Sequence, residues 1–311
     1  MALQQSSGDI LADRRYEYAQ SCLAEGNALA AAEMAEQALD LAPRYAPAWF
    51  LLGRAREARH RKGGLPADHD AAIRAYATAL ELDPEDGLGA RLHLTRLGEG
   101  VMLEAMSPAY VRALFDGYAP RFERHLVGDL AYRGPAIVID ALDRVAGAAA
   151  RFATVFDLGC GTGLMGEALT GRSQNLVGVD LSPAMLVRAE KSGHYRRLVA
   201  GDLRTFLIAE PEGIADLVVA ADVFIYLGDL VPIFAAIATT LKPEGFCAFT
   251  VQSHEGDDVV LGEDGRYAHG DAFLRQAATA CGLAVRLFEE AAVRRERGAA
   301  VPGRVVVLER S

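Results

Sequence analysis

The pattern of apolar and polar positions changes character once along the chain. Residues 10–97 are rich in Ala, Leu, Glu and Arg with breakers only at intervals, and they predict helices throughout. Gly98 and Gly100 mark the change. Residues 107–146 again predict helices, opening on Ser107 as N-cap with Pro108 in the first helical position. From residue 153 onward, short β-branched runs alternate with helical stretches, at 153–158, 175–180, 196–201, 215–221, 246–251, 284–289 and 304–309. That alternation predicts an α/β fold, a Rossmann-like, doubly wound, seven-stranded and mostly parallel sheet. Only RRERGAAVPG separates the last two runs, too little for a crossover helix, so these two should pair antiparallel. The expected organisation is an all-α domain over residues 1–100 and an α/β domain over residues 101–311.

Within the helical part, AAEMAEQALDLAP (31–43) recurs as AAIRAYATALELDP (71–84). Ala31, Ala35, Ala38 and Pro43 align with Ala72, Tyr76, Ala79 and Pro84. Small residues at these spacings let antiparallel helices approach closely, and the proline stops the second helix. Trp49, Leu52 and Gly53 match a W-x-x-L-G start, for which the first copy carries the weaker Arg15, Tyr18 and Ala19. The stretch resembles a tetratricopeptide repeat array. Its period departs from that family: Pro43 to Pro84 spans 41 residues where about 34 is usual, with RHRKGGLPADHD (59–70) inserted. About three units are normally needed for independent stability, so so short an array should lean on the rest of the chain. The resemblance implies a groove in which a protein partner could dock.

Composition narrows the function. At 51% hydrophobic and 24% charged residues the chain can bury a full core. Its 32 basic against 42 acidic residues give a net charge of −10, which argues against nucleic acid as the main partner. The basic cluster Arg59-His60-Arg61-Lys62 reads as a solvated loop. Cys22, Cys160, Cys247 and Cys281 form no CxxC pair, so neither a zinc site nor a disulfide scaffold is expected, and the compartment should be reducing. The first residues carry no apolar signal region, and no apolar run approaches the ~20 residues of a membrane span. The expected location is the cytoplasm.

The candidate chemistry sits in ATVFDLGCGTGLMGEAL. A buried strand should end at Asp157, followed by turns at Gly159, Gly161 and Gly163 that permit positive φ and close approach of a ligand. Gly161, Gly163 and Gly166 satisfy G-x-G-x-x-G, with Asp180 19 residues after Gly161, which alone admits a nicotinamide or flavin dinucleotide. Three carboxylates point elsewhere. Asp157 before the turn would repel a pyrophosphate but favour a cationic amino acid group. Asp180, ending the next strand in GVDLS, is suited to ribose hydroxyls, although such a residue can also be a helix N-cap. Asp202 in Gly201-Asp202-Leu203 pairs a carboxylate with an apolar neighbour, which suits an adenine amino group and ring face.

VFDLGCGTG, GVDLS, GDL, DLVVAADVF (216–224) and LKPEGFCAFTV (241–251) occur in that order and at sensible spacing. Residues from about 110 to 309 resemble a class I S-adenosylmethionine-dependent methyltransferase of the ubiquinone-biosynthesis-like branch. The whole chain resembles bacterial predicted methyltransferases with tetratricopeptide repeats ahead of the catalytic domain. The resemblance implies S-adenosylmethionine as cofactor. Asp157 and the backbone of Leu158, Gly159, Cys160, Gly161, Thr162 and Gly163 would hold its methionine portion. Asp180 would grip the ribose, Leu181 and Met185 flank the adenosine, and Gly201, Asp202 and Leu203 bracket the adenine. Ala221 and Asp222 would lie below the sulfonium. Cys160 belongs to the turn and is no nucleophile, since no base neighbours it.

Acceptor-side candidates follow the strands' carboxyl ends, where open α/β sheets bind ligands. They are Phe224 and Tyr226, then Gln252, Ser253 and His254. Gly265 to His269 should open the next helical stretch, on the acceptor side by resemblance. His254 and His269, read as loop residues, are the base candidates. Tyr118, Phe122 and His125 recur near helical spacing and suggest core packing, with a lid as the alternative; Tyr132 and Arg133 could face the same cavity. The expected activity is methyl transfer to a small-molecule acceptor. A protein-recruiting module with a cofactor-sensing domain and a dinucleotide-dependent oxidoreductase are the competing classes.

Overall fold

A computed structural model of the protein describes residues 6–63, 66–119, 132–296 and 299–311. The chain divides into two compact units, Met1–Tyr110 and Val111–Ser311, against the expected division at residue 100.

The first unit holds α1 (Ile10–Ala24), α2 (Ala28–Leu41), α3 (Ala46–Arg61), α4 (Pro66–Leu82) and α5 (Ala90–Arg96), each packed on the next. The ends are written locally: Asp9 accepts the Leu11 and Ala12 N–H groups, Asn27 accepts that of Ala30, and a proline sits in the first turn of α3. The recurring positions are the buried ones, with Ala31, Ala35, Ala38, Ala72, Tyr76 and Ala79 all in the interior. Gly53 is required by proximity, since a Cβ there would come within 2.7 Å of the Tyr76 ring.

Against that ring lies a buried carboxylate. Glu57 accepts from Tyr76 Oη at 2.6 Å, His93 Nδ1 at 2.7 Å and Arg61 Nη2 at 2.8 Å. Burial alone would raise the Glu57 carboxyl, but the bonds from His93 and Tyr76 and the charges of His93 and Arg61 outweigh it and hold it down to about 2. A depressed carboxyl stabilises the fold above its unfolded value of 4.5 and loses that contribution as pH falls through about 2. Glu57→Gln should therefore cost about 2–3 kcal/mol at pH 7, and the gap from the wild type should close as pH falls towards 2. Urea unfolding followed by circular dichroism at several pH values checks this; a gap independent of pH would mean that the charge of Glu57 contributes nothing.

α6 (Pro108–Tyr118) follows, with Ser107 Oγ accepting the Tyr110 N–H as its cap. The second unit continues through α7 (Gly134–Ala146), β1 (Phe152–Leu158), α8 (Leu164–Ala168), β2 (Ser173–Asp180), α9 (Pro183–Ser192), β3 (Arg197–Ala200) and α10 (Leu203–Ala209). Next come β4 (Ala215–Ala220), α11 (Val231–Thr240), β5 (Leu241–Ser253), β6 (Val259–Leu261), β7 (Tyr267–His269) and α12 (Asp271–Ala280). The chain closes with β8 (Leu283–Glu290), β9 (Arg295–Glu296), β10 (Ala299–Ala300) and β11 (Gly303–Arg310). The main sheet has the order β3-β2-β1-β4-β5-β11-β8. β3 to β5 are mutually parallel, and β11 runs antiparallel to both neighbours.

The seven expected strands and the antiparallel last pair are present, and β11 inserts between β5 and β8. The central strands are apolar on both faces because helices cover both. Phe206, Leu207, Ile233, Phe234 and Leu274 fill one side, and Val138, Leu142, Met165 and Leu169 the other. Two expectations need correction. Tyr267 to His269 is a short strand, paired with β5 and β6, and the helix starts only at Asp271. RRERGAAVPG, read as a plain link, carries the β9–β10 pair. Phe122 and His125 lie outside the described residues. Among the described residues no helix is long and apolar enough to cross a membrane.

Candidate active site

The order β2-β1-β4 brings three carboxyl ends side by side where the sheet changes its direction of winding, the place where open α/β sheets bind ligands. β1 runs out through Asp157 and Leu158, and the chain turns at Gly159 and Gly161 with φ of +66° and +54° before α8 begins. A Cβ at Gly159 would also come within 2.6 Å of Val223, so the turn is glycine for space as well as for backbone conformation. The result is a cavity, partly open to solvent, lined by Tyr132, Pro135, Asp157, Gly159, Cys160, Gly161, Thr162, Leu164, Met165 and Ala221.

Asp157 is buried, and its Oδ2 accepts from Tyr195 Oη at 2.6 Å. Burial lifts its carboxyl to about 7, with the Tyr195 bond opposing the shift and the Asp180 charge adding to it. Asp180 accepts the Gly161 N–H at 2.9 Å and the Ser182 N–H at 2.8 Å, so it ties the glycine turn to the end of β2. Burial raises this carboxyl too, against both bonds. The cap of α9 is Ser182, whose Oγ accepts the Met185 N–H. Asp202 is itself a cap, accepting the Thr205 N–H at 2.8 Å at the head of α10, with Leu203 buried beside it. Thr162 Oγ1 is buried and has no hydrogen-bond partner among the described residues. The Cys160 thiol is pushed well up by burial, so it stays protonated and unreactive at neutral pH. Met185 is fully buried and Leu181 half-buried.

On the other side of the cavity, Tyr132 Oη donates to the Ala221 carbonyl at 3.2 Å. Asp222 holds a φ of +62°, rare for a non-glycine residue. Its amide donates to Thr250 Oγ1, and both of its carboxylate oxygens accept from Arg294 Nη1, at 2.8 and 3.0 Å. Arg294 is buried and also donates to Gln252 Oε1 at 2.9 Å. Tyr226 lies nearby, edge-on to Phe115 at 5.3 Å, its phenol raised by burial.

Both histidines turn out to be structural parts. His269 is fully buried on β7; its Nε2 bonds the Leu227 carbonyl at 3.0 Å and its ring stacks on Phe273. Burial lowers it to about 4, so it is neutral at pH 7, and its Nδ1 has no partner among the described residues. His254 Nε2 bonds the Asp258 carbonyl at 2.8 Å while Nδ1 accepts the Gly256 N–H at 3.0 Å, which closes its own loop. The expectation of a loop position is corrected for His269, which is buried on a strand, while His254 lies in a loop with both ring nitrogens hydrogen-bonded.

Residues 156–249, from the glycine turn to β5, match the family model of a methyltransferase domain. The α/β unit thus contains a segment similar to a methyltransferase domain and has the fold of solved methyltransferases. Human methyltransferase-like protein 27 is 35% identical over 105 residues, 33% of this chain. The chain spans 42% of that relative's length. A Burkholderia thailandensis 1,6-didemethyltoxoflavin-N1-methyltransferase, solved with 1,6-didemethyltoxoflavin and S-adenosylhomocysteine, aligns with a TM-score of 0.53 at 17% identity. That alignment covers 65% of this chain and 88% of the other. The magnesium protoporphyrin IX methyltransferase of Synechocystis, solved with S-adenosylmethionine, aligns at 0.50 and 18% identity over 66% and 97% of the two chains. At these identities the likeness is one of fold.

The site also uses residues that the sequence did not single out. Tyr195 lies in an unremarkable link, SGHYRRL, and Arg294 in an exposed-looking basic run. A lone aromatic between a helix and a strand and a buried arginine carry no local pattern.

Raised from 3.8 to about 7, Asp157 favours the ligand-free fold only while protonated. That contribution is full below pH 3.8 and is lost as pH rises through 7. Asp157→Asn should therefore be more stable than the wild type at pH 8, by roughly 1–3 kcal/mol, and close to it near pH 4. Urea midpoints at the two pH values read the difference, and a variant no more stable at pH 8 would show that the carboxylate is well solvated.

Proposed function

We propose that this chain transfers a methyl group from S-adenosylmethionine to a small-molecule acceptor. The observation that carries this reading is the carboxylate Asp157, buried at the end of β1 beside a glycine-lined cavity in a methyltransferase domain. It is a counter-charge waiting for a cation, in a place where a pyrophosphate would be repelled.

The residues present fit the cofactor. Asp157 would face its ammonium group, and the unpartnered Thr162 Oγ1 would donate to its carboxylate. Asp180 spends one oxygen on each of two backbone N–H groups and has lone pairs left for ribose hydroxyls. Asp202 caps α10 through Oδ1, leaving Oδ2 for the adenine amino group. Leu181, Met185 and Leu203 would supply the apolar faces.

When bound, the cofactor supplies an already electrophilic methyl group, so the protein's task is placement. Misplacement by ~1 Å can cost about 10²-fold. Tyr132 and Tyr226 form the acceptor wall in this reading, and Arg294 fixes Asp222 and Gln252 behind them. Burial keeps both phenols protonated, so they donate hydrogen bonds and do not remove protons. With His254 bonded at both ring nitrogens and His269 buried and neutral, an acceptor that needs no strong base suits the site best.

The same reading makes the helical unit tetratricopeptide-like and able to hold a protein partner, sets the chain in the ubiquinone-biosynthesis-like branch, and locates it in the cytoplasm. Calorimetric titration with S-adenosylmethionine, S-adenosylhomocysteine, NAD and FAD tests the cofactor. Binding of the first two alone is expected, and tight NAD binding without them would end the reading. Asp180→Ala should raise the dissociation constant of S-adenosylhomocysteine about ten- to a hundredfold. Radiolabelled methyl donor with cell extract tests the acceptor: label in metabolites is expected, and label in protein would replace the small molecule by a macromolecular substrate.

A further inference from the structure

Tyr195 stands in the link between α9 and β3, outside every motif of the sequence, yet it touches the glycine turn at three places. A Cβ would come within 3.2 Å of its ring at Gly163, 2.8 Å at Gly166 and 2.9 Å at Gly178. Gly163 precedes α8, Gly166 lies within it and Gly178 is on β2, so one aromatic ring fills the space that three absent side chains leave. The hydroxyl is held from both sides. It accepts the Gly166 N–H at 3.2 Å and donates to Asp157 Oδ2 at 2.6 Å. With its lone pair facing an amide proton, the phenol's own proton has one direction left, towards the carboxylate.

We propose that Tyr195 is the positioning residue for the amino acid end of the cofactor: its hydroxyl fixes the rotamer of Asp157 and favours the ionised carboxylate that the cofactor's ammonium group requires. The inference rests on the reading of this cavity as an S-adenosylmethionine site. Tyr195 touches no reacting atom and acts only through Asp157. Burial and the Asp157 charge push its own phenol far up, so it remains a proton donor at every working pH. Among the described residues, the Tyr195 bond is what offsets the burial that raises Asp157.

The test separates this role from simple packing by using two ligands. Tyr195→Phe keeps the ring against the glycines and removes only the hydroxyl. Titrated into the full chain, S-adenosylhomocysteine should bind this variant about tenfold more weakly at pH 7. Methylthioadenosine, which keeps the adenosyl thioether and lacks the amino acid end, should bind within about twofold of the wild type, since only packing would touch it. The midpoint of the pH dependence of S-adenosylhomocysteine affinity should move to higher pH in the Phe variant. Fluorotyrosine placed at position 195, a near-isosteric and stronger donor, should move it to lower pH. In an Asp157→Asn background, Tyr195→Phe should add less than about twofold. Equal weakening of both ligands, no weakening of either, or an unmoved pH midpoint would overturn the proposal. A wild-type protein that binds neither compound would overturn the cofactor site itself, a result distinct from any of these.

Discussion

A carboxylate taken out of water at the end of a buried strand sets the terms for the site around it. Asp157 cannot be both interior and ionised without help, since burial penalises its charge. Among the described residues, the surrounding chain supplies hydrogen bonds and no fixed cation: a phenol on one oxygen, and backbone N–H groups on the neighbouring Asp180. The glycines bring the main chain close, and the order of the strands places β2 and β4 on either side. What results is a site that is poorly satisfied by itself and well satisfied by an ammonium group. This is the usual bargain of functional sites, in which local stability is given up for affinity.

The side of the cavity proposed to take the acceptor follows the opposite logic. There the charges are paired internally, with Arg294 on Asp222 and Gln252, and the backbone of Asp222 is held in a strained conformation by the bonds around it. A wall that carries its own counter-charges has little field left with which to attract an ion. Selection of an acceptor would then rest on shape and on the two phenols rather than on long-range charge.

Much of this was written locally. The β-branched runs gave the strands, since a sheet covered on both faces needs continuous apolar segments. Asp157, Gly159, Gly161 and Ala221 meet at one cavity, as the motif order implied. Alanine spacing in the helical part foretold which faces are buried. What stayed hidden depends on contacts distant in sequence. Tyr195 reaches Asp157 across 38 positions and Arg294 reaches Asp222 across 72. His269 reads as a loop residue because its strand is three residues long and forms only by pairing with β5 and β6. His254 shows the converse: a histidine near an active-site strand can be consumed by the turn that presents it.

The place of β11 has a consequence for how the protein is made. Among the described residues, β8 hydrogen-bonds into the sheet only through β11, which lies between it and β5. A nascent chain that has emerged as far as residue 290 holds β5 as an open edge and β8 without its neighbour. The sheet can close only when residues 303–310 thread into the gap, and β5 exposes unpaired backbone until then. Synthesis thus leaves a window in which the edge of β5 is exposed to pairing with the wrong strand.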